Sequence, residues 1–400
     1  RSAVAHAYAE IPFYRELWRE HGVEPAEVRG VGDLGRLPIS TAHAARDAAV
    51  RGTLRSRRAR PADQLVLHTS GSSGHSTAFP CASLDRWLWW AFGMRASLEH
   101  GLEKRGTTLR FDPHPPLPHP LRRFRVPGTT WVSANAPAAR LLEGLAATAP
   151  ALVVGTPTVL RRLCEAIEKD GATPPRPRAV FAEGEILDGA TRTAVRSAIG
   201  VDPVSVYGLT EVGYVAWQCE RREGFHVNAE GYVAEVLRDG SPAAPGELGA
   251  LVVTDLRSRD RPLLRYDTGD LAIAAAGRCP CGRTLPLVAS IEGRARTALH
   301  LADGRVVTTR AIMDGLAGAG PPGRYLLLQE SLNRFRLEIA DPGSREAFVP
   351  LLRILLGDVE LAVDAGMRPA RLSHKTDAVL AAGAPQASGP ERRLSTATTP

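Results

Sequence analysis

The stretch Leu65-Val66-Leu67-His68-Thr69-Ser70-Gly71-Ser72-Ser73-Gly74-His75-Ser76-Thr77 runs from apolar residues into glycines and hydroxyls. Gly71 and Gly74 let the backbone curl so that successive N–H groups face one concavity, and Thr69, Ser70, Ser72 and Ser73 add hydroxyl donors to the same anion. That is the chemistry of a phosphate-binding loop. It is not the nucleotide-hydrolase loop, because His75 stands where a lysine would follow the last glycine. Taken alone, the stretch is also compatible with an ordinary Ser/Gly turn after a strand. A second set points to metal. Cys219-x6-His226 precedes a strand-rich stretch and Cys279-Pro280-Cys281 follows it. Three thiols and an imidazole fill all four positions of a tetrahedral zinc ion, which leaves no place for water and makes the role structural. Gly224 and Gly282 allow tight turns beside these ligands. A disulfide and free thiols are the rival readings, and a total of five cysteines in a cytosolic setting argues against disulfides. His114-x4-His119 has no carboxylate or cysteine at a matching distance and reads as part of a proline-rich surface loop.

These residues need a scaffold, and 400 residues suffice for one large core and a smaller domain. A hydrophobic content of 44% with 23% charged residues is that of a soluble globular chain. No apolar run is long enough to span a membrane, and no charged-then-apolar leader is visible, so a cytoplasmic location is expected; since the chain starts at Arg1, a removed leader stays open. The net charge of +7 is scattered, which does not imply nucleic acid but suits an anionic substrate. Up to about residue 60 the pattern is helical, with Tyr8, Ile11, Phe13, Tyr14, Leu17 and Trp18 on an apolar face. Leu84 to Leu98 is an amphipathic helix carrying Trp87, Trp89 and Trp90, and Cys164 on a later helix reads as core. Arg110 to Pro137 reads as an irregular, proline-rich loop. From Ala151, strands at Leu152–Val154, Ala179–Phe181 and Val204–Val206 alternate with helices, the period of an α/β sheet with crossover helices.

Two further segments, Val206-Tyr207-Gly208-Leu209-Thr210-Glu211 and Leu264-Arg265-Tyr266-Asp267-Thr268-Gly269-Asp270, follow in order. With the Ser/Gly loop they resemble the three signature motifs of the adenylate-forming ligases. Cys279-Pro280-Cys281-Gly282-Arg283 and Ile291-Glu292-Gly293-Arg294 narrow the resemblance to the phenylacetate-CoA ligase branch, over roughly Phe13 to Leu316. The resemblance implies a large amino-terminal adenylating domain with mixed sheets over 1–294, a small mobile α+β domain over 295–381, and a tail from 382 whose composition is that of a disordered segment. It implies ATP and Mg²⁺. Thr69, Ser70, Gly71, Ser72, Ser73 and Gly74 would hold the outer phosphates, Tyr207 and Gly208 would flank adenine, and Glu183 and Gly184 would line it. Thr210 would bond the α-phosphate, Glu211 would hold magnesium, Asp270 would take the ribose diol, and Arg294 would meet ribose or phosphate. Related ligases carry zinc at the positions of Cys219, His226, Cys279 and Cys281, and the helix with Trp87 and Trp90 borders their acyl pocket. The family turns its small domain to present a lysine; Lys375 is the only candidate in a chain whose other lysines are Lys104 and Lys169.

Three departures gather where the second half-reaction is organised. Arg296 stands where the family usually has an acid after the hinge arginine, Thr308-Thr309-Arg310-Ala311-Ile312-Met313 replaces a proline-containing loop, and His374 replaces the glycine before the lysine. The expected activity is ATP-dependent conversion of a small acid, aromatic by resemblance, to acyl-AMP and then to a thioester with coenzyme A. A carrier protein or an amine as acceptor remains open, as does a catalytically silent nucleotide-binding protein of the same fold. The sequence leaves the oligomeric state open.

Overall fold

The computed structural model describes residues 1–59, 64–68, 78–102, 106–114, 128–317, 325–340, 342–365 and 379–381. The chain is a mixed α/β fold divided into two compact units, Arg1–Ala96 with Tyr207–Ser290, and Ser97–Val206 with Ile291–Pro400. Among the described residues no helix is long and apolar enough to cross a membrane.

In the first unit, strands Tyr232–Arg238, Leu248–Asp255 and Tyr266–Ala274 run antiparallel, and Phe225–Val227 pairs with both Gly213–Trp217 and Leu287–Arg294. The amino-terminal helices Ser2–Glu10, Pro12–Glu20 and Ala42–Val50 are tied to this sheet by polar side chains as well as by packing. Tyr14, fully buried, donates its hydroxyl to Pro262 O (3.1 Å) and accepts from the Leu264 N–H (2.8 Å). Ser40 Oγ donates to Leu264 O (2.8 Å), and Arg265 donates to Leu37 O while its guanidinium pairs with Glu235. The Ile11–Arg15 stretch is thus a packing segment that also anchors the start of the Leu264–Asp270 motif. Strands Gln64–His68 and Ala78–Ala82 pair antiparallel, and Ser83–Glu99 is the expected helix.

In the second unit, Thr129–Ser133, Thr108–Asp112, Leu152–Gly155, Ala179–Glu183 and Val204–Leu209 lie side by side, all parallel. Leu152–Gly155 is buried along its whole length, as a parallel strand covered on both faces must be. Helix Pro157–Asp170 starts with Thr156 accepting from the Val159 N–H and Pro157 in the first turn, and stops at the left-handed Gly171 (φ +59°). Leu141, Leu145, Leu160, Leu163, Cys164 and Val195 form the core against these strands. The strands at Thr108–Asp112 and Thr129–Ser133 correct the reading of Arg110 to Pro137 as irregular throughout. Residues 115–127 lie outside the described residues.

Farther along, the hairpin Leu299–His300 with Val306–Val307, helices Thr309–Leu316 and Ser344–Leu356, and a four-stranded sheet ordered Glu360–Ala365, Arg334–Ile339, Tyr325–Ser331, Val379–Ala381 build the α+β portion. Leu327, Phe335, Leu337, Phe348 and Leu352 form its own core. The tail from 382 lies outside the described residues.

Candidate active site and metal centre

The strand Val204–Leu209 returns through a turn, Thr210-Glu211-Val212, into Gly213–Trp217. A Cβ on Gly208 would sit 2.9 Å from Gly213 O, so the two arms approach closely because no side chain intervenes. Tyr207 donates its hydroxyl to Asp270 Oδ2 at 2.7 Å, joining residues of two separate motifs. Asp270 is buried on strand Tyr266–Ala274, where its N–H donates to Thr268 Oγ1 (3.1 Å) and Thr268 in turn donates to Leu251 O (2.8 Å). Tyr266 directs its hydroxyl to Glu211 Oε1 at 3.4 Å, while Thr210 is exposed. Tyr207, Glu211, Tyr266 and Asp270 therefore form one polar face. Two carboxylates, one buried and hydrogen-bonded and one half-buried, beside an exposed hydroxyl suit a diol and a hard cation.

The second unit holds Glu183, Gly184 and Arg294. Glu183 ends its strand in an ion pair with Arg110, a partner that the sequence reading missed and that also lies 3.7 Å from Asp112. Gly184 has φ +78°, the left-handed conformation a strand-end turn takes readily only with glycine. Arg294 closes strand Leu287–Arg294, and its carbonyl accepts from Thr297 Oγ1 (3.0 Å). The unusual Thr308-Thr309-Arg310 segment clasps this strand end. Thr308 Oγ1 donates to Glu292 Oε2 (2.7 Å), Arg310 Nε donates to Ile291 O (2.8 Å), and Thr309 meets Thr297 hydroxyl to hydroxyl at 2.7 Å. Arg296 is exposed.

Trp87 and Trp90 are half-buried and meet edge to face, 6.2 Å between ring centroids. Trp89 lies so close to Gly213 (φ +79°) that a Cβ there would fall 2.3 Å from the indole. His114 caps its own turn by donating its N–H to Asp112 Oδ1 (2.9 Å). The phosphate-loop residues Thr69, Ser70, Gly71, Ser72, Ser73 and Gly74, and Lys375, lie outside the described residues.

Cys219, His226, Cys279 and Cys281 come together with all four donor atoms within 4.8 Å of one another. Cys219 Sγ is 3.6 Å from Cys279 Sγ, Cys281 Sγ is 3.4 Å from His226 Nε2, and none of these thiols is in a disulfide. Tetrahedral zinc, with bonds of about 2.3 Å to sulfur and about 2.0 Å to nitrogen, needs separations of roughly 3.8 Å and 3.5 Å, so the donor set fits the ion. Gly224 (φ +84°) is required beside it, since its Cβ would fall 2.8 Å from Val288 O. Burial pushes the Cys219 thiol up to about 11. Burial also acts on Cys281, but hydrogen bonds from the Arg283 backbone and side chain outweigh it and hold that thiol below its ordinary value. Trp217 is tilted against His226 (5.4 Å between ring centroids, 38°), and the Arg283 guanidinium lies 5.5 Å from the Trp217 ring centroid.

With this geometry in place, similarity to known proteins can be set beside it. The chain is 28% identical over 371 residues to a phenylacetate-coenzyme A ligase of Thermus thermophilus, covering 86% of this chain and 80% of that one. It is 26% identical over 313 residues to the phenylacetate-coenzyme A ligase of Escherichia coli, covering 72% and 68%. Over most of its length the chain is similar to the phenylacetate-CoA ligases, which are adenylate-forming ligases. Its fold matches 2-hydroxyisobutyryl-CoA ligase in the postadenylation state with a TM-score of 0.76 at 20% identity, over 92% of this chain and 84% of that one. Against the same enzyme in the thioesterification state the TM-score is 0.64, over 94% and 87%. No protein-family model matches the chain. What the sequence reading lacked were Tyr266 and Arg110 as partners of Glu211 and Glu183, and the close approach of Trp89 to Gly213. Tyr266 stood inside a quoted motif, and its ring was the one available signal.

Proposed function

We propose that this ligase activates a small carboxylic acid with ATP, giving an acyl-AMP and pyrophosphate, and then passes the acyl group to the thiol of coenzyme A. The observation that carries the reading is the Tyr207–Asp270 hydrogen bond, with Glu211 drawn to the same face by Tyr266. Activation requires a carboxylate oxygen to attack the α-phosphorus while charge spreads onto pyrophosphate, so the protein must position the reactants and complement that charge. Asp270 accepts from the ribose hydroxyls, and the Tyr207 ring lies against adenine. Glu183 and Gly184 line the base. Thr210 donates to the α-phosphate, and the Ser/Gly loop, Thr69 to Gly74, donates to the outer phosphates. Glu211 holds Mg²⁺, which when bound neutralises the phosphate oxygens. Arg294 contributes a cation at the strand end that precedes the α+β portion, 295–381, which turns as a mobile domain to bring Lys375 to the reacting carboxylate. Trp87 and Trp90 wall an acyl pocket that takes an aromatic acid. Cys219, His226, Cys279 and Cys281 hold a structural zinc ion.

A second reading, with a carrier-protein thiol or an amine as acceptor, is favoured by the altered Arg296 and Thr308–Arg310 segments around the strand end. Pyrophosphate release over a panel of aryl and aliphatic acids, with and without coenzyme A, tests both. The expected result is release with an aryl acid, thioester only with coenzyme A, and loss of turnover with ATP binding intact in Lys375→Ala. Absence of turnover in either form with every acid tried would leave a nucleotide-binding protein.

A further inference from the structure

Thr210 and Glu211 sit in a turn, where backbone carbonyls must find partners outside a strand ladder. Two of the turn's carbonyls are taken by side chains from distant segments. Arg261 Nη2 donates to Glu211 O at 3.1 Å, and the Tyr232 hydroxyl donates to Val212 O. Both donors are buried, Arg261 to 6% exposure and Tyr232 to 2%. The segment bearing Arg261 is itself fixed. Its backbone N–H donates to Ser258 Oγ (3.3 Å), Ser258 donates to Asp85 Oδ2 (2.9 Å), and Tyr14 secures the next residue's carbonyl. The carboxylates acting on the buried guanidinium are Glu211, Asp85 and Asp255. Burying a guanidinium costs free energy that an apolar side chain of equal volume would not incur, so its presence calls for a role beyond filling space.

We propose that Arg261, which belongs to none of the sequence motifs, is the positioning residue for Glu211. It holds the turn from the buried side, with Tyr232 as second support, so that the Glu211 carboxylate is ready for the cation that accompanies ATP. The proposal rests on Glu211 being the magnesium ligand of the function proposed above. ATP binding by calorimetry over a magnesium series, pyrophosphate release over the same series, and melting temperature are compared for the full chain and its Arg261→Met, Arg261→Lys and Tyr232→Phe variants. Arg261→Met is expected to need roughly ten-fold more magnesium for half-maximal ATP binding and for release, with the KM for the acid unchanged. Arg261→Lys recovers part of that shift, and Tyr232→Phe shows a smaller one in the same direction. A purely structural arginine would lower the melting temperature and leave the magnesium midpoint where it was. That result in Arg261→Met, or in Tyr232→Phe if the methionine variant does not fold, overturns the proposal. A wild-type chain whose ATP binding ignores magnesium overturns the functional reading instead.

Discussion

Around Tyr207 and Asp270 donors meet acceptors: a phenol faces a carboxylate at 2.7 Å, and a second phenol faces Glu211 at 3.4 Å. Around Cys219 and Cys281 like meets like, with thiol against thiol at 3.6 Å and thiol against imidazole at 3.4 Å. Both clusters lie in the first unit. The first is held in shape by the protein's own hydrogen bonds and can wait for a transient ligand. The second gathers four electron-pair donors, a set that a permanently bound cation between them would stabilise. The difference separates a site built for turnover from a site built for cohesion.

Cys279→Ser puts the greatest strain on that contrast. Metal analysis should fall from about one zinc per chain to none, and stability should drop by at least about 3 kcal/mol. Well below the melting transition, ATP affinity should stay within about two-fold of wild type, because no more than about 0.4 kcal/mol is expected to reach a distant site. A zinc-free protein that melts as wild type does would erase the distinction.

Asp255 sharpens it from the other side, as part of the buried polar network around Arg261 and Ser258. Burial raises its pKa from 3.8 to about 6, although the Arg257 and Ser258 N–H groups oppose the shift. Above about pH 6 the carboxylate is charged in both states and its burial weakens the fold. As pH falls towards 3.8 the folded state takes up its proton before the unfolded chain does, and that penalty is relieved. Asp255→Asn should therefore be the more stable protein at pH 7.5, by no more than about 3 kcal/mol, with the gap closing by pH 4 in denaturant titrations. A gap that widens on acidification would contradict the assignment. The smallest effect belongs to Tyr207→Phe. Losing one hydrogen bond to Asp270 should weaken ATP binding roughly five- to ten-fold, with little change in melting.

Much of both clusters could be read from residue types in order along the chain. Tyr207 and Asp270 are far apart in sequence but each sits in a compact motif, and the Cys/His set is rare enough in composition to stand out. The helices at Ser83–Glu99 and Gly189–Ile199 were visible because their apolar spacing repeats over several turns. The strands Thr108–Asp112 and Thr129–Ser133 were not, since five residues beside a run of prolines give too short a period to read. Arg110, Arg261 and Tyr232 were hidden for another reason. Each acts through a contact between segments remote in sequence, and one arginine in an arginine-rich chain carries no local sign of its partner. Trp89 was passed over because a residue's closeness to Gly213 depends on the helix's rotation, which spacing alone leaves open.

The chain crosses between its units after Ala96, after Val206 and after Ser290. Arg1–Ala96 therefore cannot complete its partnership until Tyr207–Ser290 has been made, and Tyr14, Ser40 and Leu37 remain without Pro262, Leu264 and Arg265 for that interval. At about 5–20 residues per second of synthesis, the roughly 190 residues from Ser97 to Ser290 delay closure by roughly 10–40 s. During that time the apolar helices at the amino terminus are exposed on the ribosome, so the nascent protein should depend on chaperone shielding early, and neither unit should be obtainable as a contiguous fragment.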